Sequence, residues 1–227
     1  MNIEKFRSNE EYINWIESVD WYQSIPLNNG VITSGKINET IRTDVISNID
    51  FNGKRVLDLG CNSGKYSLLA KSLGAKEVVG VDPDIDRINQ AKTLAVNEGL
   101  PIDFIVGTLD DILSWEPFDI VICVAVLTEV ENILGGLRAL SDLTVERTFI
   151  EMGLSKPKLY FSTNRQWWVR DRTVSRLDRI GEFRRHKHVG WVIYPSLDLV
   201  RDIFGSNRKV NHLGKGPRYD MLEVVSK

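Results

Sequence analysis

The residues best placed to do chemistry are a carboxylate near the end of an apolar run and two glycines just beyond it. Val56-Leu57-Asp58-Leu59 leads into Gly60-Cys61-Asn62-Ser63-Gly64, and Lys65-Tyr66-Ser67-Leu68-Leu69-Ala70 then has a helical pattern. The pattern predicts a strand, a tight turn and a helix N-terminus. Glycine lets backbone N–H groups approach a ligand, and the helix dipole favours an anionic group there. A second short apolar run, Glu77-Val78-Val79-Gly80-Val81, ends in Asp82, 24 residues after Asp58. An acidic residue at that place in a βαβ unit accepts hydrogen bonds from ribose hydroxyls.

Other ligands are excluded by detail. A P-loop has four residues between its glycines and then Lys-Ser/Thr. Here three residues intervene and Tyr66 follows Lys65. The dinucleotide fingerprint Gly-x-Gly-x-x-Gly has Asn62 at its second glycine, which disfavours a nicotinamide oxidoreductase. Asp82-Pro83-Asp84-Ile85-Asp86 has the look of a calcium loop, but Arg87 replaces its glycine and Thr93 its bidentate glutamate. Asp84 reads instead as the N-cap of a helix over 85–98. No metal constellation is expected.

The elements that must position these residues alternate. Strands are predicted at 55–59, 77–82, 103–106, 119–124 and 147–152, with helices near 65–73, 85–98 and 132–142. Such alternation implies βαβ units and a parallel sheet. Ser8-Asn9-Glu10-Glu11 reads as a capping box opening a helix to about Val19. A turn-rich aromatic stretch from Trp21 to Gly35 follows, then a helix with Ile37, Ile41, Val45 and Ile49 on one face. After Met152 the rhythm changes, and 153–190 shows no clean period of either kind. Pro195-Ser196 starts a helix through Phe204, and late strands fit near 209–213 and 220–225. The expected organisation is an N-terminal helical and aromatic segment, 1–50, and a domain, 51–227, bearing an insertion at 153–195.

Composition bounds the setting. No apolar run reaches membrane length, and Met1-Asn2-Ile3-Glu4-Lys5 lacks the basic and apolar regions of a signal peptide. With only Cys61 and Cys123, a reducing, cytoplasmic location is expected. The net charge of −2 hides an asymmetry: residues 1–155 carry 13 Lys and Arg against 24 Asp and Glu, and residues 156–218 carry 15 against 5. Two readings of the basic segment stand. Its arginines pair with the acidic half, or they receive an anionic partner such as RNA or a phosphorylated substrate.

On Asp58, Gly60, Gly64 and Asp82 the chain resembles class I S-adenosylmethionine (SAM) dependent methyltransferases over residues 50–152. The resemblance implies a Rossmann-like, seven-stranded, mostly parallel sheet with helices on both faces. It implies SAM held by Asp58, Gly60, Asn62 and Gly64 in the turn and by Asp82 and Pro83 at the ribose. Phe104-Ile105-Val106-Gly107-Thr108-Leu109-Asp110-Asp111 is similar to the family's adenine-binding turn, which assigns Leu109 and Asp110 to adenine. The fourth strand, Phe118 to Leu127, is similar to the strand that ends beside the sulfonium, at Cys123 and Val124.

Within the superfamily the motifs are nearest to the tRNA wobble-uridine methyltransferase and carboxymethyltransferase group. Trp21 to Gly35 resembles its aromatic N-terminal segment, Val192-Ile193-Tyr194-Pro195-Ser196 its step into a late helix, and Gly216-Pro217-Arg218 a segment whose arginine binds cofactor. Trp21 and Arg218 join the cofactor candidates on that basis. Leu127-Thr128-Glu129 stands where the carboxymethyltransferases have Leu-Tyr-His. Glu129 would repel an anionic carboxylated cofactor, so ordinary SAM is expected.

Methyl transfer needs a near-attack geometry and a group to take the acceptor's proton. The candidates are Glu129 past the fourth strand, Glu151 at the end of the fifth, and His186 in the basic segment, with His188 beside it. The expected substrate is an anionic small molecule methylated on oxygen or nitrogen, with RNA possible through 156–188. A SAM-binding subunit without catalysis, with Trp167-Trp168 stacking on single-stranded RNA, is the competing reading.

Overall fold

A computed structural model describes residues 5–35, 40–130, 132–154, 181–186, 190–215 and 219–227. Its strands are β1 (Arg55–Leu59), β2 (Glu77–Asp82), β3 (Asp103–Val106), β4 (Phe118–Val124), β5 (Thr144–Met152), β6 (Gly181–His186), β7 (Gly190–Pro195), β8 (Arg208–Lys215) and β9 (Asp220–Ser226). The helices are α1 (Asn9–Ser18), α2 (Thr40–Ser47), α3 (Lys65–Ser72), α4 (Ile85–Glu98), α5 (Ile133–Asp142) and α6 (Leu197–Phe204). Seven strands form one sheet in the order β3-β2-β1-β4-β5-β9-β8. β1 pairs in parallel with β2 and with β4, and β2 with β3, while β9 runs antiparallel to both β5 and β8. The seven-stranded mixed sheet agrees with the expected fold class.

Two compact units divide the chain. The first comprises Met1–Cys123 with Leu143–Glu146, and the second Val124–Asp142 with Arg147–Lys227. In the first unit β1 buries Val56, Leu57 and Leu59 among the parallel strands, as a continuous apolar run should. The segment before β1 is packed by its aromatic residues. Tyr12, Ile16, Trp21, Ile25 and Leu27 form one cluster with Leu68 of α3, Ile88, Ala91 and Leu94 of α4, and Phe104 of β3. Polar bonds fasten the same segment to α4: Phe6 N–H donates to Asn97 Oδ1, and Glu98 accepts from Tyr12 Oη–H and from Asn28 N–H.

Helix starts follow their capping residues. Ser8 Oγ accepts from Glu11 N–H at 3.2 Å, although Glu11 reaches back to Arg7 N–H rather than to that of Ser8. Asp84 Oδ1 accepts from Asp86 and Arg87 at the head of α4. Ser196 does the same for Leu199 in α6. In α2 Ile46 is fully buried and Val45 only half-buried, while Ile49 of the expected stripe, just past the helix, is buried. Ile37 lies outside the described residues.

The second unit holds β5 from Arg147 on, β8, β9, α5 and α6 together with the hairpin β6–β7. That hairpin was not anticipated in the sequence, because Arg184, Arg185 and His186 break the apolar alternation that marks a strand. β8 and β9 are as expected in place, with a register shift between His212 and Gly214. Residues 155–180, most of the predicted insertion and of its arginine series, lie outside the described residues.

Candidate cofactor site

Three consecutive features at the carboxyl ends of β1, β2 and β3 are drawn together around one carboxylate. After β1 the chain turns through Gly60 (φ 73°), Asn62 (φ 52°) and Gly64 (φ 86°), all left-handed. Asparagine tolerates that conformation because its short side chain bonds locally, and here Asn62 Oδ1 accepts from Ser63 N–H at 2.9 Å. Asp82, at the end of β2, accepts from Asn62 N–H through Oδ2 and from Asp84 N–H through Oδ1, both at 2.9 Å. Its main-chain carbonyl accepts from Gly107 N–H after β3. One residue thus joins the turns that follow β1 and β3.

Asp58 works from below the turn. It is buried, and its carboxylate accepts from the Ser67 hydroxyl at 2.6 Å and from Ser67 N–H in the first turn of α3. The strand residue therefore caps the helix, whose own N-cap, Gly64, has no side chain to do so. Burial pushes the Asp58 carboxyl up to about 7; the Ser67 bonds oppose that rise and the neighbouring Asp82 adds to it. Asp82 is shifted in the same direction by burial, against the two backbone N–H groups it accepts from.

These bonds decide which ligand fits. The N–H groups of Gly60 and Cys61 donate to Val81 O, that of Asn62 to Asp82, that of Ser63 to the Asn62 side chain and that of Ser67 to Asp58. A phosphate would find these donors taken and two carboxylates beside them. SAM, the cofactor of class I methyltransferases, has no phosphate, carries a positive sulfonium and offers ribose hydroxyls as donors. Each Asp82 oxygen has a further lone pair for those hydroxyls. The residues present fit it.

The remaining candidates fall as follows. Pro83 and Asp110 are exposed and Leu109 is half-buried, the last two at a 3₁₀ turn over Asp110–Ile112. Thr108 is held by Asp111, which accepts from its N–H and its hydroxyl. Cys123 is fully buried near the end of β4, with Val124 half-buried next to it. Trp21 is 1% exposed, and its indole N–H donates to Ile16 O at 2.7 Å within the N-terminal cluster. In the second unit Glu129 is exposed, and Glu151 is buried on β5, its carbonyl accepting from Ala125 N–H. His186 ends β6 opposite Gly190. The side chain of His186, and Arg218 and His188 altogether, lie outside what is described.

A family model described as "Methyltransferase domain" matches residues 56–144, the stretch that holds β1 to β4 and the turn. Over residues 56–144 the chain is thus similar to a methyltransferase domain. Among curated relatives, the chain is similar to the "Ubiquinone biosynthesis O-methyltransferase" of Rhodopseudomonas palustris (strain HaA2), 39% identical over 82 residues, or 36% of this chain and 32% of the relative. It is also similar to the "Ribosomal protein L11 methyltransferase" of Deinococcus radiodurans, 35% identical over 99 residues, or 41% of this chain and 36% of the relative. The matched part spans about a third of the length of those relatives. In three dimensions the chain is similar to the N-terminal domain of EvdMO1, solved with SAH and D-fucose, at TM-score 0.67, 13% identity and 97% of each chain. The magnesium protoporphyrin IX methyltransferase of Synechocystis PCC 6803, solved with SAM, aligns at TM-score 0.55 and 17% identity over 86% of each chain. At such identities the likeness is one of fold, the class I methyltransferase fold. The nearness to the wobble-uridine enzymes rests on the sequence motifs alone.

Sequence reasoning missed Gln23. Its side chain is 5% exposed, and its Oε1 accepts from Lys65 N–H, the first N–H of α3, at 3.3 Å. The two residues are 42 positions apart, and no local pattern announces the pairing.

Proposed function

We propose that this protein is a SAM-dependent methyltransferase acting on an oxygen or nitrogen of an anionic small molecule. The observation that carries the reading is the double role of Asp82, which holds the Asn62 turn and keeps acceptor capacity at the end of β2. The likeness to a methyltransferase domain over 56–144 and the fold support it. The anionic substrate is supported by the excess of Lys and Arg in 156–218.

When bound, SAM supplies an electrophilic methyl group. Asp82 and Pro83 would meet the ribose, Leu109 and Asp110 the adenine, and the Gly60–Gly64 turn the amino-acid end, while Asp58 keeps that turn in place. The acceptor's proton passes to a base of the chain, for which Glu129, Glu151 and His186 are the candidates. Calorimetric titration with SAM tests the binding half of this reading. Release of S-adenosylhomocysteine during incubation with pooled carboxylated and phosphorylated metabolites, or with pooled RNA, tests the rest. Binding without turnover on either pool would favour a non-catalytic SAM-binding subunit.

A further inference from the structure

The cradle is rich in acceptors and poor in donors. Asp82 faces it with Asp58 beneath the turn, and the described turn N–H groups are spent on the protein itself. That suits ribose hydroxyls, an ammonium and a sulfonium. Among the described turn groups it leaves the carboxylate of the cofactor's methionine part without a donor. An anion beside two buried carboxylates needs a donor.

Gln23 has one to give. Its Oε1 is fixed by Lys65 N–H, a group that can only donate, so the amide orientation is set and the NH2 points elsewhere. Gln23 is 5% exposed as a whole, and its Oε1 is the side-chain atom engaged by Lys65 N–H. Gln23 Nε2 is not among the sealed polar atoms, so this donor is open to a ligand while the rest of the residue is buried.

The backbone around Gln23 is over-determined. Its carbonyl accepts from the Thr33 hydroxyl at 2.7 Å, and Thr33 Oγ1 in turn accepts from Ile25 N–H at 2.8 Å. Gly35 passes so close that a Cβ there would lie 2.1 Å from the Gln23 carbonyl carbon. Two legs of the N-terminal segment are tied at this residue, and the tie aims its side chain at the head of α3.

We infer that Gln23 is a cofactor-binding and specificity residue, its amide NH2 donating to the amino-acid carboxylate of SAM and so closing the site from the N-terminal segment. This rests on the SAM reading above, and the test separates the two. Affinities for SAM and for 5′-methylthioadenosine, which keeps the nucleoside and lacks the carboxylate, are measured by calorimetry for wild type, Gln23→Glu and Gln23→Ala. Gln23→Glu can still accept from Lys65 N–H but presents a negative oxygen in place of the donor. The expected result is a loss of SAM affinity of about tenfold or more in both variants, as for a hydrogen bond to a charged group. Affinity for 5′-methylthioadenosine should stay within about twofold of wild type. Equal losses for both ligands would make Gln23 a structural tie of the turn and overturn the inference. Unchanged SAM affinity in Gln23→Glu would overturn it as well. A wild type that binds neither ligand would sink the SAM reading and this inference with it.

Discussion

Asp82 Oδ2 lies 2.9 Å from the backbone nitrogen of Asn62, so the carboxylate that ends β2 fastens the turn that follows β1. The residue expected to read the ribose is therefore also a structural clasp. Replacing it removes both functions at once. Asp82→Ala is expected to weaken SAM binding by about 1.5–3 kcal/mol, since the lost bonds involve a charged group. It should also lower the melting temperature without ligand, because the N–H groups of Asn62 and Asp84 lose their acceptor. Calorimetry and thermal melts on the same preparation separate the effects; unchanged SAM affinity would remove the central claim about the site.

The glycines of the turn differ in what they protect. A Cβ on Gly64 would lie 2.9 Å from Phe104 Cζ and 3.1 Å from Ala91 Cβ, at a φ of +86° that L side chains avoid. Gly64→Ala is therefore expected to cost stability, by about 1–3 kcal/mol, through overpacking and backbone strain. Gly60→Val puts a β-branched residue at a φ of 73° and should abolish SAM binding in a folded protein. Urea unfolding and SAM titration check both. If Gly60→Val binds SAM normally, the loop is only a connection.

Much of this site was legible in the chain, and the reasons it was are local. Asp58, Gly60, Gly64 and Asp82 sit where strand, turn and helix patterns change, and each such change is visible within a few residues. β1, β2 and β3 fall where their apolar runs lie. What escaped notice depends on distance. Gln23 meets Lys65 across 42 positions, and Tyr12 meets Glu98 across 86. Asp58 looked like a ligand contact because its type and place fit one, whereas its carboxylate is bound to Ser67 beneath the turn. The β6–β7 hairpin escaped because its pattern is broken by charge.

Asp58 also sets a pH dependence. Its carboxyl is pushed up to about 7 by burial, from an ordinary value near 3.8. The folded state therefore holds that proton more tightly than the unfolded chain does. By linkage, this residue's contribution to stability falls as pH rises from about 4 to about 7 and is level above that. Asp58→Asn keeps an acceptor for Ser67 and has no proton to lose. Relative to wild type, the variant should gain stability between pH 4 and pH 8, on the order of 2–4 kcal/mol. Melting temperatures of both proteins without ligand, at steps across that range, give the difference directly. Parallel curves would show that Asp58 ionises in the fold as easily as in water.

The basic segment supplies the last prediction, and it concerns the substrate. Residues 156–188 hold ten Lys and Arg against Asp171, Asp178 and Glu182. So many like charges repel unless they meet an anion or the acidic part of the chain. An RNA partner would engage several of them, and log affinity would fall with log salt by about 0.7 for each phosphate neutralised on a single strand. A small carboxylated or phosphorylated substrate would need only one or two arginines, by bidentate pairing. The whole chain is slightly acidic, with a net charge of −2, and that balance favours the small anion. Single Arg→Gln replacements at 165, 170, 172, 176, 179, 184 and 185 should therefore leave most variants with near-normal KM and raise it about tenfold or more in one or two. tRNA binding, measured from low to physiological salt, should be weak and shallow in slope. A slope equivalent to several phosphates would reverse the assignment and promote RNA as the methyl acceptor. Loss of stability in many variants, with binding untouched, would instead make the segment a partner for the acidic half of its own chain.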